Sequence, residues 1–137
     1  MIYLNETFLQ IRTEQSVAIM EWKGLAKGEA YRKGFEQYLK LLLEGKYTHW
    51  LLDFTNGKVI DVKDQKWTTD EWLPHAVATL KGNIQKVGII LSTDVFNKVA
   101  SRVIATTISK LSEAEIAYFD DKRDAMAWLT QPEAVAV

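Results

Sequence analysis

The sequence predicts an α/β domain: a mixed five-stranded sheet with about four helices, in the order β-β-α-β-α-β-α-β-α. Three observations lead there. TFLQIRTE (7–14) alternates and VAIMEWKG (17–24) reads as a second strand, with only a short connection between them, as in an antiparallel hairpin. THWLLDFT (48–55) and KVGIILST (86–93) are continuously apolar at their centres, as strands covered on both faces are. The stretches between these strands carry apolar residues three and four apart, the spacing of a helix with one buried face. Strands that alternate with helices after a hairpin imply a sheet with a parallel portion and covering helices.

The elements follow in order. After the hairpin, Gly24 ends the second strand, and a helix from about 27 to 44 carries Tyr31, Phe35, Tyr38, Leu39, Leu42 and Leu43 on one face, with Gly45 as its stop. Asn56-Gly57 marks the turn after the third strand. A short helix over roughly 63–72 comes next, and Pro74, which cannot sit inside a regular helix, restarts it as a second turn. Asp94 is the expected N-cap of the following helix, whose apolar side holds Phe96, Val99, Ala100, Val103, Ile104, Thr107, Ile108 and Leu111. EIAYF (115–119) is the fifth strand. Asp120-Asp121 open a last helix with Ala125, Trp128 and Leu129, and Pro132 ends it. One domain over 1–131 and a frayed tail over 132–137 are expected.

Composition narrows the function. The 137 residues are 47% hydrophobic and 26% charged, with a formal charge of −1. No basic excess speaks for nucleic acid. With no cysteine, thiol chemistry and cysteine-ligated metals are excluded. No basic segment followed by an apolar run opens the chain, and no apolar run is long enough to span a bilayer, so a cytoplasmic protein without a membrane span is expected.

The densest cluster of unusual residues is DVKDQKWTTDEWLPH (61–75). Asp61 or Asp64 suits a helix entry, where a carboxylate accepts from free N–H groups. Trp67 and Trp72, five apart, do not share one narrow stripe of a regular helix. One is expected on the sheet, the other at the surface or against a partner. Glu71 and His75 are spaced as two possible ligands, but the companions of a metal site are missing, so no metal is expected. His49 reads as a strand-edge histidine. Asp53, near the C-terminal end of a central strand, stands where open α/β sheets place ligands. It can equally accept hydrogen bonds from the Thr55-Asn56-Gly57 turn. KGEAYRKGFEQYLK (27–40) interleaves both charge signs and reads as a solvated helix face. There is no nucleophile elbow, phosphate loop or nucleophile–histidine–acid set.

Four segments, WKGLAKGEAYRKGFE (22–36), HWLLDF (49–54), DQKWTTDEWLP (64–74) and YFDDKRDAMAWL (118–129), resemble STAS-like domains. Within that group the chain looks most like bacterial SpoIIAA-like proteins, which are related in architecture to CRAL-TRIO lipid-binding domains. The resemblance covers nearly the whole chain and bears on fold more than on activity. Anti-sigma antagonists of this superfamily carry a phosphorylatable serine in an Asp-Ser turn entering the helix after the third strand. The corresponding turn here, VIDVKDQ (59–65), holds no serine or threonine, and Ser92 and Thr93 follow a different strand. Kinase-controlled antagonism is therefore disfavoured.

The expected function is a non-enzymatic cytoplasmic regulatory or binding module, with no cofactor, acting through an unidentified protein partner and as a homodimer. The 62–75 helix with Trp67 and Trp72 is the expected contact surface, and Asp53 and His75 are further binding candidates. The alternative is a small apolar ligand or lipid held between helices and sheet.

Overall fold

The computed structural model describes residues 1–132. The described residues form one six-stranded sheet, its strands adjacent in chain order. They are β1 (Ile2–Asn5), β2 (Leu9–Glu14), β3 (Val17–Trp22), β4 (His49–Asp53), β5 (Lys86–Ile90) and β6 (Glu115–Phe119). The pairs β1–β2 and β2–β3 are antiparallel, and β3 to β6 run parallel. The α/β mixed sheet is as expected, with one strand more. The addition is β1, which covers the free edge of β2, and its four half-exposed residues are too few to show a period. A bulge between Ile2 and Leu4 makes that outer edge irregular, which discourages further strand addition. Gln15 and Ser16 close the β2–β3 hairpin with φ of 49° and 67°, the left-handed pair that suits a two-residue turn.

Strand alternation divides the core. Leu9, Ile11, Met20, Trp50, Leu52 and Ile89 belong to the larger cluster, beneath α1 (Glu29–Gly45), α2 (Val62–Trp67), α3 (Leu73–Thr79) and α4 (Val95–Leu111). Val17, Ile19, Leu51 and Ile90 form a smaller cluster with Ala125 and Leu129 of α5 (Lys122–Leu129). The sheet is therefore covered by three crossovers on one side and by α5 alone on the other. Beside α5, Arg12 donates to Glu14 at 2.8 Å and Glu21 at 2.7 Å, and Lys122 at the start of α5 donates to Glu14 at 2.8 Å.

α1 lies very close to the sheet. A Cβ on Gly34 would meet Leu9 Cδ2 at 2.6 Å and Trp22 Cη2 at 3.0 Å, so only glycine lets the helix settle there. The buried face is Tyr31, Phe35, Tyr38, Leu39, Leu41 and Leu42. Leu43, expected inside, is 43% exposed, because the stripe turns towards Leu41 at the helix end. The left-handed C-cap is Lys46, not Gly45. Gly45 is required for space, since a Cβ there would overlap the Tyr47 ring.

The largest local departure concerns Pro74. The helix is not broken: α2 runs through a π-helical turn, Thr68–Trp72, into α3. Leu73 N–H donates to Thr68 O, five residues back. The wider turn directly precedes Pro74, which has no N–H to give, and so accommodates the proline without interrupting the helical run. Asp61 is the N-cap, its carboxylate accepting from Lys63 N at 2.9 Å.

α4 differs as well. Asp94 caps it as expected, accepting from Asn97 N at 3.0 Å. Its buried line is Asn97, Ala100, Ser101, Ile104, Ala105 and Ile108. Phe96, Val99, Val103 and Leu111, expected inside, are exposed. Small residues let α4 approach closely, and the two buried polar ones find carbonyls: Asn97 Nδ2 donates to Lys58 O at 2.7 Å and Ser101 Oγ to Asn97 O at 2.9 Å. The last residues of the expected tail, 133–137, lie outside the described residues.

Burial pushes the Tyr31 and Tyr38 hydroxyls well above the ordinary tyrosine range. Unfolded tyrosines ionise near pH 10, about where model peptides do, while the folded ones keep their protons. Above that pH the unfolded state binds fewer protons, so stability is fully present below about pH 10 and falls as the pH rises beyond it. The urea midpoint is expected to hold between about pH 7 and 9 and to drop above about pH 10. Tyr38→Phe should flatten that drop, and an equal drop in the variant would count against this origin.

Candidate functional site

The loops at the C-terminal ends of the parallel strands are laced together. Lys58 N donates to Gly24 O at 3.4 Å, Ser92 Oγ to Gly57 O at 2.8 Å, and Asn97 Nδ2 to Lys58 O. Asp53 sits here, 7% exposed, with Oδ1 accepting from Thr55 N at 2.9 Å and Thr55 Oγ1 at 2.5 Å. It closes the turn after β4, the structural one of its two expected roles. The parallel strands follow chain order without reversal, so the crevice that a doubly wound sheet opens at its switch point does not arise.

A cavity of about 10 Å³ lies beneath these loops, lined by residues including Trp22, Tyr31, Phe54, Ile60 and Asn97. That is the room of about one water molecule. An acyl chain or comparable apolar ligand would have to part the helices from the sheet to enter.

Trp72 is 4% exposed and belongs to the core, its ring 4.7 Å from Phe35 and 6.3 Å from Trp50. Trp67 also faces Phe35, at 6.3 Å. The π-helical turn explains this pairing: a wider turn brings residues five apart onto one side, where a regular helix would separate them. Of the two, Trp72 is the one packed over the sheet and Trp67 the one nearer the surface. Trp67 is half-buried, with the Arg32 guanidinium 5.4 Å from its ring centroid. Asp64, 2% exposed, accepts from Gly28 N at 2.8 Å and Arg32 Nε at 3.3 Å, tying the start of α1 to α2. The Lys63 backbone N–H holds the Asp61 carboxyl below its ordinary range.

His75 and Glu71 are both exposed, and among the described residues no three His, Asp or Glu side chains gather as a metal site would need. His49 lies at the start of β4, its Nδ1 2.9 Å from Thr48 Oγ1. Asp53, Trp67, Trp72 and His75 are therefore not gathered into one site.

What the sequence reading missed is the outward face of α4. Val95 is 68% exposed, Phe96 72%, Val99 58% and Val103 39%. Beside them the Arg102 guanidinium lies 4.9 Å from the centroid of the exposed Tyr118 ring on β6. The sequence did hold a signal: apolar residues at 95, 96, 99 and 103 adjoin those at 100, 104 and 108, a band too wide for one buried stripe.

A family model described as SpoIIAA-like matches residues 17–130. No curated protein and no solved structure gives a significant match. The matched range runs from β3 to the end of α5, leaving out β1 and β2.

Trp72→Ala is expected to act as a core deletion, lowering unfolding free energy by about 3–5 kcal/mol in a urea titration. A loss under about 1 kcal/mol would mean that the indole is not packed as described.

Proposed function

The chain belongs to the SpoIIAA-like family, and from that membership we propose a regulatory STAS-type module that acts through protein–protein contacts on the outward face of α4. The observation that carries this reading is the grouping of Val95, Phe96, Val99 and Val103 on one exposed helix face. Exposed apolar side chains scattered singly are ordinary, whereas a contiguous group marks a contact surface. The start of the helix is tied to the turn after β4 by Asn97 Nδ2 donating to Lys58 O and Ser92 Oγ to Gly57 O, which fixes the position of the face.

The proposed activity involves no catalysis. Asp53 is engaged by its own turn, and the half-buried Trp67 and the exposed His75 lie on the α2–α3 run as possible secondary contacts. The proposed setting is the cytoplasm. Among the described residues no helix is long and apolar enough to cross a membrane.

A photoreactive amino acid at position 99, introduced in host cells, is expected to form a discrete protein adduct that Phe96→Glu abolishes. The same group at position 40, on the exposed face of α1, should form none. Equal adducts from both positions, or none from position 99, would remove this reading.

A further inference from the structure

We infer that the occupant of the α4 face is an acidic amphipathic helix of a partner protein. The inference rests on the protein-contact reading above and adds the partner's chemistry to it. Shape comes first. Phe96, Val99, Val103 and Thr106 follow spacings of three and four, the seam along which one helix packs against another. From 96 to 106 the seam is about 15 Å long, or nearly three turns, enough for a short helix to lie along it.

Charge selects among the possible helices. The 17 residues of α4 contain Lys98, Arg102 and Lys110 and no aspartate or glutamate, in a chain whose net charge is −1. Lys98, Arg102 and Lys110 are all exposed; at about 100° per residue Lys98 and Arg102 fall along one flank of the apolar seam and Lys110 continues its line towards the helix end. α1 provides the internal comparison. Its solvated face interleaves Glu29, Arg32, Lys33, Glu36, Lys40 and Glu44, the ordinary pattern of a helix turned to water. α4 departs from that pattern in both respects, being apolar along its exposed centre and carrying charge of one sign only, along one flank. Asp94, the nearest acid at its start, is engaged as the N-cap.

Arg102 is also positioned in advance. Stacked over Tyr118, its guanidinium loses less freedom on meeting a carboxylate than a free side chain would. A second copy of α4 laid on this seam would set cations against cations. Carboxylates flanking an apolar stripe complement both features at once.

Two labelled helical peptides test the inference by fluorescence anisotropy with the full chain. Both carry the same leucine seam; one is flanked by glutamates, the other by lysines. The acidic peptide is expected to bind at least about tenfold tighter, a preference of about 1.4 kcal/mol, and to weaken as salt is raised. Lys98→Glu with Arg102→Glu should reverse the preference, while circular dichroism and the urea midpoint show the fold retained. Equal binding of both peptides would overturn the charge selection, and binding of neither would overturn the helical occupant. Either result leaves the position-99 adduct, and with it the protein-contact reading, standing. Two further outcomes would overturn the inference. One is a dimer in sedimentation velocity that Val99→Glu dissociates, and the other is pelleting with phosphatidylserine-containing vesicles that Phe96→Glu abolishes.

Discussion

The packing of Phe35 against four other aromatic rings holds the helical layer to the sheet. Its ring lies 5.1 Å from Tyr31, 5.7 Å from Trp22, 4.7 Å from Trp72 and 6.3 Å from Trp67. These rings come from β3, α1 and the α2–α3 run, and Trp50 of β4 joins them through Trp72. Rings of this size bury more area than any aliphatic side chain, and their offset and edge-on contacts add directional preference. Gly34 allows the closeness, one residue before Phe35, by leaving room for Leu9 and Trp22. The α2–α3 run supplies two of the four partners, Trp67 from the end of α2 and Trp72 from the π-helical turn.

Polar groups finish what the rings begin. Asp64 fastens the start of α1 to α2, and Tyr31 shares a hydrogen bond of 2.8 Å with Thr68, which itself donates to Asp64 O. At the far side Asn97 and Ser92 fasten the turn after β4 to the start of α4. Each bond is modest alone, but each is made by a buried side chain whose polar atom would be costly to leave unpaired. A consequence of the second set is rotational: drawing Asn97 inward sets the angle of α4 about its axis and sends Phe96 and Val99 outward.

Much of the architecture was legible in the chain. The apolar centres of β4 and β5 show strands covered on both faces, and Asp94 and Asp121 cap α4 and α5 through N–H bonds three residues on. The illegible parts share a cause. β1 is too short for a period to emerge. Leu41 and Leu43 differ only in which side of α1 they occupy near its end. Trp67 and Trp72 were separated by assuming 3.6 residues per turn, and Pro74 was expected to break a helix that a π turn keeps whole. For the site, Asp53 was read both as a binding candidate and as an acceptor for its own turn, and the bonds of the second reading are made, whereas the α4 face was hidden because its residues were counted into the core.

The sequence by itself determined where strands and helices lie, that both signs of charge balance, and that no cysteine or phosphate-loop chemistry is available. These are local properties, set by propensity, period and composition, and need no knowledge of neighbours. Tertiary structure alone decided which of two adjoining apolar stripes on α4 is buried, because both satisfy the helical period equally. The choice went to the stripe of small residues containing Asn97 and Ser101, since that side allows close approach and lets Asn97 Nδ2 reach the Lys58 carbonyl. The larger Phe96, Val99 and Val103 were left facing outward, and with them the surface on which the function is proposed to rest.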